Sequence, residues 1–160
     1  MEKEIILNQI KTPDGTILMS MHRHDYVTHD DANGLTYMVD GGSEYLRRNI
    51  HKTELTPLNR MAIKVKSMFG IKWNDPLEYT ELSIFSDAPF EVIRENFHRG
   101  GRGKDGTEPL TWVPMDKMSD AWLLACIKYN NDHDRMDCFA NTLYAKELEY
   151  RQENNIHIAD

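Results

Sequence analysis

The stretch MHRHDYVTHDDANGLTYMVDGG, residues 21–42, concentrates side chains that could do chemistry: three histidines, four aspartates and one arginine. Imidazole and carboxylate groups together bind zinc, manganese or iron, which makes His22, His24, Asp25 and His29 candidate metal ligands. A histidine oriented by a carboxylate is also the arrangement of a general base, so a catalytic group of His29, Asp25 and Asp40 is a second interpretation. The same residues could recognise a polar ligand without chemistry, or form an ion-pair network that only stabilises a hairpin.

These residues are predicted to lie on two strands joined by a tight turn. Asn33-Gly34 is the strongest short hairpin signal, and with these two residues at the centre of the turn, His29 faces Met38 and Val27 faces Asp40. Side chains alternate between the two faces of a strand, so one face should gather a charged cluster of Arg23, Asp25, His29 and Asp40. A half-buried cluster of this kind tends to have perturbed pKa values and often marks a site.

The segment VDGGSEYLRR is a candidate anion site. Gly41-Gly42 leads into a predicted short helix from Ser43 to Arg48, and free N–H groups at a helix start can hold an anion. Arg47 and Arg48 add charge-assisted donors. An ordinary strand-to-helix turn is the alternative interpretation.

The glycine-rich segment RGGRGKDGTEP, residues 99–109, predicts a mobile basic loop. Arg99 and Arg102 in this loop could close over a phosphate or a nucleic-acid backbone. A solvated loop is the alternative, and the order of residues is not that of a P-loop.

Length and composition limit the remaining classes. The 160 residues predict a single domain over 1–160, β-rich at 1–50, mixed at 51–98 and helical at 110–156. A net charge of −7 disfavours general coating of DNA or RNA, which depends on cationic side chains neutralising phosphates. The sequence has no apolar run near the ~20 residues that span a bilayer, and no apolar signal segment at its start. We therefore expect a cytoplasmic protein without a membrane partner.

The order of strand and helix signals predicts an α+β fold, with an N-terminal antiparallel β-hairpin or small sheet packed with several C-terminal helices. Helices are predicted from Thr56-Pro57 to Gly70, from Pro89 to His98 with Asp87 as the cap, from Ser119 to Asn130, and from Cys138 to Asn154, with a strand over Leu77–Phe85. Cys126, inside an apolar helical run, is expected to be buried.

Residues 22–48, which contain HRHDYVTH and YMVDGGSEYLRR, resemble a group of small uncharacterised proteins encoded by tailed bacteriophages and prophages. The hallmark of that group is RHD[FY]VT followed by VDGG, two or three further residues and YLRR. Some members carry paired cysteines that look like a zinc ribbon; in this chain TPDG and HDDANG stand in the corresponding turns. The stretch LTWVPMDKMSDAWLLACIKY also resembles a segment common in small phage proteins. The resemblance implies a phage origin and a location in the infected host cell, where such proteins are often host-takeover or anti-defence factors.

The expected function is that of a phage accessory protein that binds a phosphorylated, nucleotide-like ligand. Its pocket wall would consist of Arg23, His24, Asp25, His29 and Asp40, and its phosphate contacts of Arg47, Arg48, Arg99 and Arg102. Two alternatives stay open: a metal-assisted phosphodiesterase or hydrolase using the His/Asp cluster, and a protein–protein inhibitor of a host defence protein. The sequence leaves open whether the chain is an enzyme and which cofactor it takes, with a divalent metal as the candidate. Small binders of this kind often form symmetric homo-oligomers.

Overall fold

The computed structural model describes residues 2–53 and 79–160, together with positions 58, 61, 64 and 68, which are helical. The described chain has an α+β fold, as the sequence predicts. Its strands are Ile5–Lys11 (β1), Ile17–Ser20 (β2), Val27–Asp30 (β3), Leu35–Asp40 (β4), Arg47–Lys52 (β5), Thr80–Glu81 (β6), Ile84–Phe85 (β7), His98–Gly101 (β8) and Thr111–Pro114 (β9). Its α-helices with defined bounds are Phe90–Asn96 (α1), Asp120–Asp132 (α2) and Phe139–Glu153 (α3), and Met115–Lys117 form a 3-10 turn.

The chain divides into two compact units. The hairpin unit is Leu7–Ser83, and the helical unit combines Met1–Ile6 with Ile84–Asp160. Each unit has its own apolar cluster. The single domain expected from the length stays a prediction.

The hairpin unit contains two antiparallel arrangements. Strand β1 pairs with β2 and β6, and β4 lies between β3 and β5. A small core of Ile10, Leu18, Tyr37 and Val39 is almost fully buried. The unit is therefore built on two short hairpins, β1–β2 and β3–β4, whose turns carry many of the polar residues.

The predicted register of the β3–β4 hairpin is wrong by one residue. His29 faces Tyr37 rather than Met38, and Val27 faces Val39 rather than Asp40. The reason lies in the loop, which has three residues between Asp31 and Leu35 and not two: Asp31 and Leu35 close it through a backbone hydrogen bond, and Gly34 adopts a φ of +82°. Because one residue of slip exchanges the faces of a strand, His29 does not share a face with Asp40.

The predicted helix from Ser43 to Arg48 is also wrong. Residues 42–44 form a turn, and the chain continues into β5 at Arg47. Without a helix there is no helical N-terminus to bind an anion at Gly41-Gly42. The two glycines instead serve close backbone packing, as described below.

In the helical unit, all three predicted helices are present, and the first, predicted from Pro89 to His98, runs from Phe90 to Asn96 because His98 begins β8. Ser119 caps α2 by accepting a hydrogen bond from the Trp122 N–H at 3.1 Å, and Cys138 precedes α3, which ends before Asn154. The predicted Asp87 cap of α1 is wrong, because Pro89 occupies that position without a side-chain cap and Asp87 pairs with Lys3 at 2.7 Å.

The basic segment 99–109 is a loop only in part, because residues 99–101 belong to strand β8 and residues 102–109 lie in the loop between β8 and β9. His98–Gly101 and Thr111–Pro114 form an antiparallel hairpin in which Gly100 faces Trp112. Gly101 lies against the Trp122 indole, where an added Cβ would meet the ring at 2.9 Å. The tight contact with the Trp122 ring is sufficient to explain the glycine at position 101, so this glycine is not evidence of phosphate binding.

A buried ion-pair network stabilises the helical unit. The Glu147 carboxylate is fully buried and accepts two hydrogen bonds from Arg94, at 2.7 and 2.9 Å, and one from Arg151, at 2.8 Å. Arg151, itself 2% exposed, also donates to Asp120 and to the Met115 carbonyl. Buried charges are tolerated when they are paired and hydrogen-bonded in this way.

The helix predicted from Thr56-Pro57 to Gly70 lies outside the described residues, apart from the four helical positions given above. Of the strand predicted over Leu77–Phe85, residues 79–85 are described, and they form two short strands, β6 and β7, in place of one continuous strand. No helix in the described ranges is long and apolar enough to cross a membrane.

Candidate functional site

The residues of the HRHDYVTH and VDGGSEYLRR segments converge at the open end of the β3–β4 hairpin. Asp40 ends β4, Tyr45 lies just before β5, and His24 lies in the turn that precedes β3. We call the group formed by His24, Tyr45 and Asp40 the relay, because hydrogen bonds join the three side chains in a row.

The relay begins at a carboxylate that is 0% exposed. The Tyr45 hydroxyl donates to Oδ2 of Asp40 at 3.1 Å and lies 3.0 Å from Nδ1 of His24. Since the single phenolic proton goes to Asp40, the Tyr45 oxygen can only accept from His24. In the neutral imidazole of His24, Nδ1 is therefore the protonated nitrogen and Nε2 carries the lone pair. Burial and the hydrogen bond to Asp40 raise the pKa of Tyr45 above its ordinary value.

Asp40 has one further unusual feature. Its Oδ1 atom is buried and has no hydrogen-bond partner among the residues that the structure describes. Arg47 is the nearest cation, with Nη1 4.0 Å from Oδ2. An unpaired buried carboxylate oxygen costs free energy, which argues that the acid at this position serves more than folding.

Two glycines allow the relay to form. Gly41 has a φ of +110°, and an added Cβ would lie 2.0 Å from the Tyr45 carbonyl oxygen. Gly42 has a φ of +53°, and an added Cβ would lie 2.5 to 2.6 Å from three backbone atoms of His22. Only glycine combines this backbone conformation with such close packing, so the Gly-Gly pair brings the turn at residues 22–25 against the end of β4.

The turn that carries His24 is fixed by polar contacts. The Asp25 N–H donates to the His22 carbonyl at 3.1 Å, and Oδ2 of Asp25 accepts from the Met21 N–H at 2.7 Å. The Ser20 hydroxyl donates to the Asp25 carbonyl and accepts from the Gly42 N–H, both at 2.9 Å. Asp25, predicted as a catalytic and metal-binding residue, thus positions the turn; its closest histidine is His22, at 3.8 Å.

His24 itself has a φ of +61°, a conformation that costs a non-glycine residue free energy. Its side chain is exposed. A strained backbone combined with a hydrogen-bonded ring presents Nε2 in one direction. This combination is found more often at functional sites than in ordinary turns.

Arg48, predicted to contact phosphate, is engaged within the fold. It donates to Glu81 at 2.6 and 3.2 Å and to Oδ1 of Asn8 at 2.7 Å. Burial opposes ionisation of Glu81, but the hydrogen bond from Arg48 holds the pKa of Glu81 below its ordinary value. Asn8, fully buried, donates to the carbonyls of Asp40 and Tyr45. Arg48 therefore stabilises, through Asn8, the backbone that carries Asp40 and Tyr45.

Arg47 and Arg23 retain exposed guanidinium groups beside the relay. Arg47 is 58% exposed, and Arg23 is 63% exposed with an exposed partner, Glu44, at 3.5 Å. Exposed pairs of this kind contribute little to stability. Tyr26, 56% exposed, lies close enough to Tyr45 to affect its ionisation. Arg47 thus lies next to Asp40, Arg23 precedes His24 in the chain, and Tyr26 lies near Tyr45.

A second cluster lies at the other end of the hairpin, at the turns. Nε2 of His29 lies 2.8 Å from Oδ2 of Asp14 and 3.6 Å from Oδ1 of Asp31. We call these three residues the turn cluster. Each offers one ligand atom within 4.8 Å of the others, which makes this the candidate metal group among the described residues. Of the predicted metal ligands, only His29 belongs to it, and the structure does not bring His22, His24 and Asp25 to the same point.

The turn cluster has the dimensions of a metal site. With ligand bonds of ~2.1 Å, neighbouring ligand atoms lie about 3.0 Å apart in an octahedral site and about 3.4 Å apart in a tetrahedral one. The two measured separations, 2.8 and 3.6 Å, bracket these values. The Asp31 side chain is 1% exposed, and its Oδ2 has no partner among the described residues.

Asp14 is oriented by its own turn. Its Oδ1 accepts from the hydroxyls of Thr12 and Thr16 at 2.9 and 2.7 Å, and from the Thr16 N–H at 3.0 Å. The hydrogen bond with His29, followed by those with Thr16, holds the pKa of Asp14 well below its ordinary value. This carboxylate is therefore ionised at neutral pH and held in place, as metal ligands usually are. The same contacts also stabilise the two turns without any ion.

The two remaining predicted phosphate contacts lie in the helical unit. Arg99 lies in β8 and interacts with Tyr144 and Cys126, and burial raises the pKa of Tyr144 to about 12. Arg102 is exposed in the loop after β8. The structure therefore supports Arg47 and Arg23 as exposed cations near the relay and gives Arg99 an internal role.

Sequence reasoning missed Tyr45, Asp14 and Asp31. Tyr45 was within the VDGGSEYLRR segment, and its position three residues after Gly42 was the available signal. Asp14 was treated as a turn residue of the TPDG segment, and its proximity to His29 depends on how the two hairpins pack, which no local pattern encodes.

Comparison of this chain with protein-family models, with curated proteins and with solved structures gives no match. The function is therefore inferred from the geometry of these two clusters.

Proposed function

We propose that this protein binds a phosphorylated, nucleotide-like small molecule at the relay. The observation that carries the proposal is the exposed His24 imidazole, held by Tyr45 and Asp40 beside the exposed guanidinium group of Arg47. A phosphate group suits this surface because Arg47 and Arg23 can donate charge-assisted hydrogen bonds to its oxygens. The accessory role in a phage-infected cell remains a proposal that rests on the resemblance of the motif.

The aromatic part of the ligand has a candidate platform in Tyr26. An exposed tyrosine ring can stack against a nucleobase, a contact that contributes about 1–3 kcal/mol per base. Tyr26 immediately precedes β3 and lies near Tyr45, so a base stacked on its ring would lie near the relay.

The test is calorimetric titration with a nucleoside, its monophosphate and inorganic phosphate. We expect the monophosphate to bind more tightly than the other two. Arg47→Gln should weaken binding about tenfold to a hundredfold, since a hydrogen bond to a charged group contributes about 1.5–3 kcal/mol. Lys52→Gln is the matched control, because Lys52 is an exposed cation at the far end of β5. Equal affinities for the two variants, or no binding of any nucleotide, would refute the proposal.

A metal-assisted phosphodiesterase is the second candidate function, and the turn cluster favours it. Asp14, His29 and Asp31 would hold a divalent ion, and three protein ligands leave positions free for a phosphate oxygen and water. When bound, such an ion lowers the pKa of its water and stabilises charge on the phosphoryl group. His29 would have to present Nε2 unprotonated, which exchanges its hydrogen bond to Asp14 for a bond to the ion.

This alternative is tested with Mn²⁺ or Zn²⁺ and a chromogenic phosphodiester. Metal binding by calorimetry and hydrolysis should both be lost in His29→Gln and Asp31→Asn. His51→Gln should behave as the wild type, because His51 is exposed on β5. Metal binding without hydrolysis would mean that the protein binds a divalent ion but is not a phosphodiesterase. Hydrolysis that survives in His29→Gln would exclude the turn cluster. Native mass spectra of the same samples would count subunits and so test the proposed homo-oligomer.

A further inference from the structure

We propose that His24 is a nucleophile whose Nε2 atom accepts a phosphoryl group from a small, reactive phosphoryl donor. The inference rests on the proposed phosphate-binding function of the relay, and it assigns to that site a covalent step. Three observations lead to it: the ring is exposed, the relay determines which nitrogen of the neutral ring carries the proton, and two exposed arginines accompany the relay. Arg47 lies 4.0 Å from Asp40, and Arg23 is the neighbour of His24 in the chain.

The relay prepares the imidazole for attack. Tyr45 accepts from Nδ1–H, so the lone pair that a nucleophile needs is on Nε2, the nitrogen with no hydrogen-bond partner among the described residues. When Nε2 forms a bond to phosphorus, the ring becomes positively charged. The Nδ1–H bond to Tyr45, and through it the buried Asp40 carboxylate, stabilises that charge, as a carboxylate stabilises the imidazolium of a catalytic triad.

The phosphoryl donor has its own contacts. The oxygens of the transferring group carry negative charge. Arg47, with Nη1 4.0 Å from Asp40, and Arg23, which precedes His24 in the chain, are exposed cations that can bind them. Stabilising charge on the phosphoryl oxygens is the main task in phosphoryl transfer. Glu44 competes for Arg23, but both side chains of that pair are more than half exposed and the pair is readily exchanged.

The step balances with phosphoramidate as the donor. Phosphoramidate reacts in its N-protonated form, so the N–P bond to His24 forms while the P–N bond of the donor breaks, and its nitrogen, which already carries three protons, leaves as ammonia with the electron pair of that bond. The proton on Nδ1 stays in its hydrogen bond to Tyr45. No oxidant, reductant or metal ion is consumed.

The experiment incubates the full chain with phosphoramidate and follows intact mass. We expect one added phosphoryl group, labile in acid, that is absent in His24→Gln and retained in His51→Gln. Tyr45→Phe keeps the nucleophile but removes the contact that orients it, so its labelling should be slower by about tenfold or more. An adduct that persists in His24→Gln, or no adduct on the wild type, would overturn the proposal. An unchanged rate in Tyr45→Phe would overturn the role of the relay.

A measurement without any variant guards against misfolding of Tyr45→Phe. Nitrogen-15 NMR of the wild type should show His24 as the Nδ1–H tautomer, and the opposite tautomer would contradict the inference. Nucleotide titration separates this inference from the proposed function. If the protein binds the nucleoside monophosphate but is not phosphorylated, the proposed function stands and the nucleophilic role of His24 is refuted. If the protein is phosphorylated but binds no nucleotide, the role of His24 stands and nucleotide binding is refuted.

Discussion

Replacing Gly42 by alanine tests the packing on which the relay depends. The added Cβ would lie 2.5 to 2.6 Å from three backbone atoms of His22, far inside normal contact distance. Gly15→Ala is the matched control, because Gly15 also has a positive φ, +96°, but has nothing within 4 Å of the added atom. The difference between the two variants isolates the close approach of the turn to Gly42.

The magnitude follows from two contributions. Placing alanine in a left-handed conformation costs about 1–2 kcal/mol, and this applies to both variants. In Gly42→Ala the turn must also move away by about 1 Å, since ordinary contacts lie at about 3.5–4.0 Å. That movement breaks the buried 2.9 Å hydrogen bond from the Gly42 N–H to Ser20. A buried donor without a partner costs about 1–3 kcal/mol, so we expect a total of about 2–5 kcal/mol for Gly42→Ala.

Urea unfolding, monitored by far-UV circular dichroism, measures the loss in free energy of unfolding for Gly42→Ala and for Gly15→Ala. Nucleotide titration should be done without urea, at a temperature at which both variants are folded. It should show weaker binding by Gly42→Ala and wild-type binding by Gly15→Ala. Equal losses of stability would refute the reasoning, because they would mean that backbone conformation alone, and not contact with His22, determines the need for glycine at position 42.

Three further predictions concern stability and reactivity. Glu147→Gln removes the buried charge that pairs with Arg94 and Arg151 and should lower the free energy of unfolding by about 3–5 kcal/mol. Glu149→Gln, exposed on the same helix, should change it by less than about 0.5 kcal/mol; similar urea midpoints would contradict this. Cys138 should react with iodoacetamide in the native state and Cys126 only after unfolding, because Cys126 is 5% exposed and burial raises the pKa of its thiol; peptide mass mapping decides. The lowered pKa of Asp14 stabilises the folded state above the unfolded value of about 3.9, and this contribution is lost as the pH falls below it. Thermal melts of Asp14→Asn should therefore lie below the wild type at neutral pH and approach it in acid, and a constant difference would contradict the prediction.

The helices of the helical unit could be predicted because their signals are local. The Ser119 hydroxyl and the apolar spacing after it are sufficient to define the start of α2. The β3–β4 register could not be predicted in the same way. Asn33-Gly34 suits a two-residue turn, but Gly34 at φ +82° completes a three-residue loop closed by Asp31 and Leu35. One additional loop residue moved His29 to the face opposite Asp40.

The candidate site was predicted in part. His24, Asp40 and Arg47 were identified from residue type, and the structure brings them together. Their grouping depends on long-range contacts, such as the Ser20 hydroxyl bridging Asp25 and Gly42, that have no sequence period. A helix was expected after Ser43 because capping signals are local, whereas the pairing of Arg48 with Val39 across the sheet overrides them.

The residues of the HRHDYVTH and VDGGSEYLRR segments fall into two groups according to whether their polar groups have partners within the fold. Asp25 and Arg48 satisfy backbone, amide or carboxylate partners and hold the turn and the strand in position. His24 and Arg47 instead keep exposed polar groups at the surface, even though His24 has a strained φ of +61°. Folding alone does not account for a strained histidine connected through a phenol to a buried carboxylate with an unpaired oxygen. The proposed chemistry of this protein therefore centres on Nε2 of His24, at the solvent-exposed end of the relay.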